Sequence, residues 1–322
     1  MARRALLVGI NSYDNISPLG CVLDATKMKE LLARNYDGSP NYDCRLLTTN
    51  AERVTRARLR EVRGQLFDNF TDDILFYFSG HGTPTATGGF VCTQDATTHD
   101  PGLPMDEILL LANRSRAREV LLILDCCFAG SLGNPPNLQG PAGSENQAQL
   151  REGVTILAAS RPSQVSREET GGHGIFTWLV LNALQGGAAD VRGRVSTAAT
   201  YAYVEQVLGG WDQRPMYKSH ADRLSPVRLR KPAVTDALLR ELTGYFPTVV
   251  SRYQLDPTYE ASTSSAVPEH VTIYDKLTQY RDARLLKTVG GNHLYYTVMA
   301  SGAVELTELG QLYWLLAKEG RL

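Results

Sequence analysis

Val120-Leu121-Leu122-Ile123-Leu124-Asp125-Cys126-Cys127 is the stretch from which the fold is read. Five consecutive branched apolar residues with no polar position among them describe a strand buried on both faces. Such a strand belongs in a parallel sheet, and here it stops on an acid and two thiols. Outward from it the pattern repeats. Ala5 to Ile10, Cys44 to Leu47, Asp73 to Phe78 and Val154 to Ala159 are further apolar runs. Between and after them, Asp24 to Asn35, Thr55 to Phe70, Met105 to Ala112, Phe176 to Leu184 and Val195 to Leu208 read as helices, several with one clear apolar face. Strands alternating with helices predict an α/β fold, a mostly parallel sheet with helices on both faces.

In open α/β sheets the chemistry gathers at the carboxyl ends of the strands. Two strands here end in reactive residues. One continues as Ser79-Gly80-His81-Gly82, the other as Asp125-Cys126-Cys127-Phe128-Ala129-Gly130. Neighbouring strands lie about 4.8 Å apart, so an imidazole and a thiol at two strand ends can meet. A thiolate attacks a carbonyl, and an imidazole takes its proton and returns it to the leaving amine. The residues alone leave open which of the two adjacent cysteines attacks.

These segments resemble the caspase/metacaspase family of cysteine peptidases, and more closely its bacterial metacaspase-like branch. Ser79-Gly80-His81-Gly82 is similar to the family's histidine motif. Asp125-Cys126-Cys127-Phe128-Ala129-Gly130 is similar to its Asp-x-Cys-x-(Ser/Ala)-Gly motif, and 46 residues separate His81 from Cys127. The resemblance continues in Leu6-Val8-Gly9-Ile10-Asn11, Gly20 to Ala25, Leu157 to Ser160 and Gly174 to Thr177. It implies Cys127 as nucleophile, His81 as general base, and the N–H groups of Gly82 and Cys127 as an oxyanion hole. It also implies an acidic primary pocket lined by Cys21, Asp24, Ser79 and Asp125. Two carboxylates there favour a guanidinium or ammonium, so cleavage after Arg or Lys is expected and cleavage after Asp is not. No cofactor is required by this chemistry. Calcium enters only because many metacaspases need it. The segment from Gln94-Asp95 to Asp106-Glu107 matches their acidic stretch in part, and no metal ligands are assigned.

Composition agrees with an ordinary globular protein: 322 residues, 43% hydrophobic, 21% charged, net charge −1. The five cysteines (Cys21, Cys44, Cys92, Cys126, Cys127) fit neither a zinc site nor a disulfide framework. With no signal peptide or membrane span in view, a reducing cytoplasm is expected. Residues 131–152 form a long Gly/Pro-rich loop. Arg151 is the only Lys or Arg between Arg118 and Gly153, which makes it the candidate for self-cleavage.

The texture changes near Lys231-Pro232, dividing a peptidase domain (1–232) from a smaller α+β region (233–322). Helices at Thr235–Gly244 and Val271–Leu286, a turn at Gly290-Gly291-Asn292, a strand at His293–Met299 and a helix capped by Thr307 suggest a winged-helix-like domain. Its eight Lys/Arg against ten Asp/Glu leave −2, which argues against nucleic acid as partner. Tyr295, Tyr296, Tyr313 and Trp314 are expected in its core. The expected partners are protein substrates with a basic residue at the cut, and a small-molecule or protein signal received by this domain. The expected role is a regulated effector in a bacterial stress or antiphage response. A catalytically silent caspase-like scaffold is the alternative.

Overall fold

A computed structural model describes residues 3–14, 19–85, 88–127, 129, 132, 150–159, 174–208, 215–221 and 225–322. The chain folds as two compact units. One comprises Met1–Ala189 and Arg194–Arg230, the other Asp190–Gly193 and Lys231–Leu322. No helix among the described residues is long and apolar enough to cross a membrane.

The first unit starts with strand β1 (Arg3–Gly9), helix α1 (Cys21–Leu32), β2 (Asp43–Thr48), α2 (Arg56–Phe67) and β3 (Asp73–Ser79). A small antiparallel sheet follows: β4 (Gly82–Thr85), β5 (Gly88–Cys92) and β6 (Gly102–Pro104). Then come α3 (Met105–Arg114), β7 (Val120–Asp125), β8 (Val154–Ala158), α4 (Ile175–Asn182), β9 (Arg194–Val195), α5 (Thr197–Leu208), β10 (Met216–His220) and β11 (Arg228–Leu229). The main sheet has the order β10-β8-β7-β3-β1-β2. All its neighbours pair in parallel except β10, which closes one edge antiparallel to β8. The expected mostly parallel sheet is therefore present, with helices on both faces.

Period-two alternation divides the core. Leu6, Val8, Ile74, Phe76, Phe78, Leu122 and Leu124 pack against α2 and α3. Ala5, Leu7, Leu75, Tyr77, Leu121 and Ile123 pack against α1, α4 and α5. The alternation carries into the strand ends: Ser79 and Asp125 follow the parity of Tyr77 and Ile123, toward α1 and α4. Cys126 takes the opposite parity and is buried in the α2/α3 core.

At the amino ends of the strands lies a second polar network. Buried Asp73 accepts from Arg3 Nε at 3.1 Å and from Arg118 at 2.6 Å, while Arg3 also donates to Asn41 Oδ1 at 2.6 Å.

The second unit contains α6 (Asp236–Tyr245), β12 (Arg252–Gln254), α7 (Pro268–Asp282), β13 (Leu286–Thr288), α8 (Leu294–Met299), β14 (Ala303–Leu306) and α9 (Glu308–Lys318). Here the sequence reading needs correction. His293–Met299, expected as a strand from its aromatic and β-branched residues, is helix α8. Its buried positions are Leu294, Thr297 and Val298, a helical spacing, and the His293 side chain accepts from Tyr295 N–H to start it. Leu286, expected at the end of a helix, opens β13. The three strands order as β12-β14-β13. All pairings are antiparallel, the connection from β13 to β14 contains α8, and the unit is α+β. Tyr313 and Trp314 are core as expected, but Tyr295 and Tyr296 are exposed on α8. The segment Asp190–Gly193 belongs here too, because Arg192 grips Asp236 through two contacts of 2.7 Å.

Candidate active site

β3 and β7 lie side by side with Ser79 opposite Asp125. The offset of that register (125 − 79) equals the His81–Cys127 interval (127 − 81), both being 46. The segments leaving the two strands therefore emerge together. Gly80 N–H donates to Asp125 O at 3.2 Å, extending the ladder past the strand end. Gly82 then packs directly on the nucleophile segment: a Cβ there would stand 2.1 Å from Cys127 O and 3.3 Å from Cys126 Cβ. Only glycine fits such a contact, and it sets the backbones of Gly82 and Cys127 against each other at the sheet rim.

His81 is held by a residue that carries no sequence signal of its own, an aromatic in the polar loop after β1. Tyr13 Oη accepts from His81 N–H at 2.8 Å, and its ring lies 4.9 Å from the imidazole at 60°. A Cβ on Gly80 would come within 2.6 Å of that oxygen, so Gly80 makes room for Tyr13. From the other side, Cys92 N–H donates to His81 O at 2.9 Å.

The thiols divide as their surroundings require. Cys127 is partly exposed; burial, reinforced by the charge of Asp125, pushes its thiol up, against the pull of its own backbone N–H. The resting group is a protonated thiol that needs a base to attack. Cys126 is buried and its thiol is pushed further up by burial, which suits a packing residue. Cys92 is also buried, its thiol pushed up to about 11.

Below this rim the structure gathers all four residues expected of the acidic pocket. The first turn of α1 supplies Cys21 and Asp24, and Asn11 Oδ1 holds the helix start by accepting Val22 N–H at 2.6 Å. Ser79 Oγ donates to Asp24 Oδ2 at 3.1 Å and also reaches the Cys21 thiol. Asp24 is 1% exposed. Asp125 keeps an exposed edge, yet burial first and the neighbouring Asp24 second raise its carboxyl to about 7. Thr177 opposes this with two donors, its N–H and its hydroxyl, the latter at 2.6 Å. Gly174 closes the arrangement: a Cβ on it would stand 3.0 Å from Asp125 Oδ2 and 3.7 Å from Asp24 Oδ2. Thr177 and Gly174 lie in a segment the resemblance covered without giving it a role; their signal is a small residue at the start of a helix that follows a core strand.

Other expected site features fall differently. Glu107 is taken up by Arg60 at 2.9 Å and Arg63 at 2.7 Å, and Asp95 by Arg56 N–H and Thr93. Among the described residues no three His, Cys, Asp or Glu side chains gather as a metal site. Glu107 and Asp95 are thus engaged by these partners, and no step is assigned to calcium. Arg151 is an anchor: its guanidinium donates to the carbonyls of Ala112 at 3.1 Å and Ala117 at 2.6 Å, tying the chain to the end of α3. Self-cleavage there would require all of these bonds to break first. Phe128, Gly130, Ser160 and most of the 131–152 loop lie outside the described residues.

The caspase domain, a family of peptidases, matches residues 2–224 of the sequence. The chain belongs to this family. The solved structure of protein GSU0716 from Geobacter sulfurreducens is similar in fold to this caspase-domain chain, with 17% identity and a TM-score of 0.52 over 72% of this chain and 100% of that one. Caspase-1 from Spodoptera frugiperda matches with 14% identity and a TM-score of 0.49, over 71% of this chain and 90% of its own. No curated protein sequence matches. The family is one of cysteine peptidase-type hydrolases, which act on proteins.

Proposed function

We propose that this caspase-domain protein is a cysteine endopeptidase that cuts protein chains after Arg or Lys. The observation that carries the reading is the convergence at one sheet rim. Gly82 is pressed onto Cys127, the backbone of His81, one residue before Gly82, is held by Tyr13 and Cys92, and Asp24 and Asp125 stand at the same strand ends. His81 takes the thiol proton of Cys127 as the sulfur attacks the scissile carbonyl. The N–H groups of Gly82 and Cys127 receive the developing oxyanion, each worth about 10²–10³ in rate. The imidazolium protonates the leaving amine, and water then hydrolyses the thioester with His81 as base. A basic side chain at the cut enters between Asp24 and Asp125, where two carboxylates reward a bidentate cation.

The same reading makes the enzyme a regulated effector, in a bacterial stress or antiphage setting, with the α+β unit receiving the activating signal. A panel of fluorogenic peptides that differ only in the residue before the cut tests the enzymatic part. Arg and Lys peptides should be cleaved, Asp peptides left intact, and Cys127→Ala should be inert. Faster cleavage after Asp, or equal turnover by Cys127→Ala, would overturn it.

A further inference from the structure

The acidic pocket contains more than its two carboxylates. Thr177 Oγ1 donates to Asp125 Oδ2 and is itself bonded to Tyr77 Oη at 2.6 Å. A threonine hydroxyl has one proton to give. With Asp125 ionised, Thr177 spends it there, and Tyr77 must be the donor to Thr177. Tyr77 stands in the middle of β3, fully buried. A chain of hydroxyls thus runs from the centre of the sheet to one carboxylate, while Ser79, which also reaches Tyr77, serves the other.

The two acids share a neighbour: a Cβ on Gly174 would stand 3.0 Å from Asp125 Oδ2 and 3.7 Å from Asp24 Oδ2, so the two oxygens are no more than about 6.7 Å apart. Among the described residues, the ionisable groups around them are Cys21 from α1, Tyr77 from β3, and Cys126 and Cys127 past the end of β7. Burial holds all of these in their neutral forms. His81 is a further ionisable group at this rim. Two like charges this close and this dry do not both ionise freely.

We propose that Asp24 and Asp125 carry one proton between them at neutral pH, that Thr177 with Tyr77 behind it is the positioning pair that keeps Asp125 aimed at the pocket, and that a basic side chain entering the pocket drives the proton out to bulk water. This deepens the proposed function and rests on its assignment of the pocket. The pocket then discriminates twice. A cation replaces the proton and forms ion pairs with both acids. A neutral side chain leaves the proton in place and gains nothing. Substrate binding becomes coupled to pH, the attraction being strong above the raised value of Asp125 (about 7) and lost as pH falls through it.

Two measurements on the full-length chain test this. In the first, benzamidine, an amidinium probe, is titrated calorimetrically into Cys127→Ala at pH 7 in buffers of differing ionisation enthalpy. The expected slope corresponds to release of the shared proton, up to one per bound benzamidine, and the same titration with His81→Ala separates the carboxylates from the imidazole. In the second, KM for an Arg peptide is followed from pH 5.5 to 9. It should fall as pH rises, and Thr177→Val should raise KM roughly ten-fold, mainly in KM rather than kcat, and move the midpoint to higher pH. Tyr77→Phe, which removes only the remote hydroxyl, should shift the midpoint the same way by less and covers the case in which Thr177→Val does not fold. A flat KM profile together with buffer-independent binding heats, while Asp125→Asn still abolishes Arg cleavage, would overturn the shared proton and leave the pocket standing. Benzamidine that fails to bind at pH 8.5, or Asp125→Asn that keeps its preference for Arg, would overturn the pocket and the inference with it.

Discussion

The two rims of the main sheet treat buried acids in opposite ways. At the amino rim, Asp73 is held by Arg3 and Arg118. At the carboxyl rim, Asp125 faces Asp24 and is served by hydroxyls and a backbone N–H. Both rims bury charge, and burying charge is costly unless it is paired. At the first rim Asp73 meets that cost through two guanidinium partners, although burial and Asp73 itself hold the neighbouring Glu119 raised. At the second, Asp125 has hydrogen bonds from Thr177 but lies beside another acid.

The comparison is broken most sharply by removing the reactive groups. Cys127→Ala should reduce kcat by at least about 10³-fold without lowering the melting temperature, and His81→Ala should do nearly the same. Steady-state kinetics beside a thermal melt reads both, and a large loss of stability in either variant would place these residues in the scaffold instead.

Next in size, the two rims should respond oppositely to the same chemical change. Asp73→Asn breaks a buried pair and should cost about 3 kcal/mol of stability, with turnover per folded molecule retained. Asp125→Asn should cut kcat/KM for Arg peptides by about 100-fold and make the protein more stable at pH 8. The sign follows from the raised carboxyl of Asp125. Folding then favours its protonated form, so its penalty is absent below about pH 4, grows as pH rises toward 7, and is fully present above that. A tenfold gain in proton affinity on folding is worth about 1.4 kcal/mol, giving on the order of 2–4 kcal/mol at pH 8. Denaturant melts at pH 5 and pH 8 should show a clearly larger gain at the higher pH.

Much of this contrast could be read in the sequence. Runs such as Val120–Leu124 have no polar position, so a parallel sheet was the only consistent home for them, and a strand's end is where chemistry collects. That His81 and Cys127 could meet at two strand ends was legible from strand spacing, whereas the matching offset of 46 appears only in the register of β3 and β7. Tyr13 and Thr177 were hidden because their roles depend on long-range packing: an aromatic in a polar loop and a threonine in a helix look the same whether or not they touch a reactive group. The surroundings of Arg151 were hidden for a related reason. An isolated arginine beside a loop reads as a cleavage point, while its bonds to Ala112 and Ala117 appear only once α3 and β8 are placed. In the second unit the residues of α8 have strand-like composition, and only the burial of Leu294, Thr297 and Val298 reveals the helix.

Two smaller effects sharpen the picture. Tyr13→Phe deletes one hydrogen bond to the backbone of His81 and should lower kcat about ten-fold with KM nearly unchanged; equal losses in both constants would argue for general loosening of the rim. Arg151→Ala should cost about 1–2 kcal/mol through the lost bonds at the end of α3, read as a lower denaturation midpoint.

The most direct test of the central claim is covalent. A peptide electrophile bearing Arg at the position before its thiol-reactive warhead is incubated with the full chain and the adduct mapped by mass spectrometry. The account predicts a single adduct on Cys127, slowed by His81→Ala and by Asp125→Asn, and little labelling by the matching Asp probe. Labelling of a different cysteine, or faster labelling by the Asp probe, would contradict it.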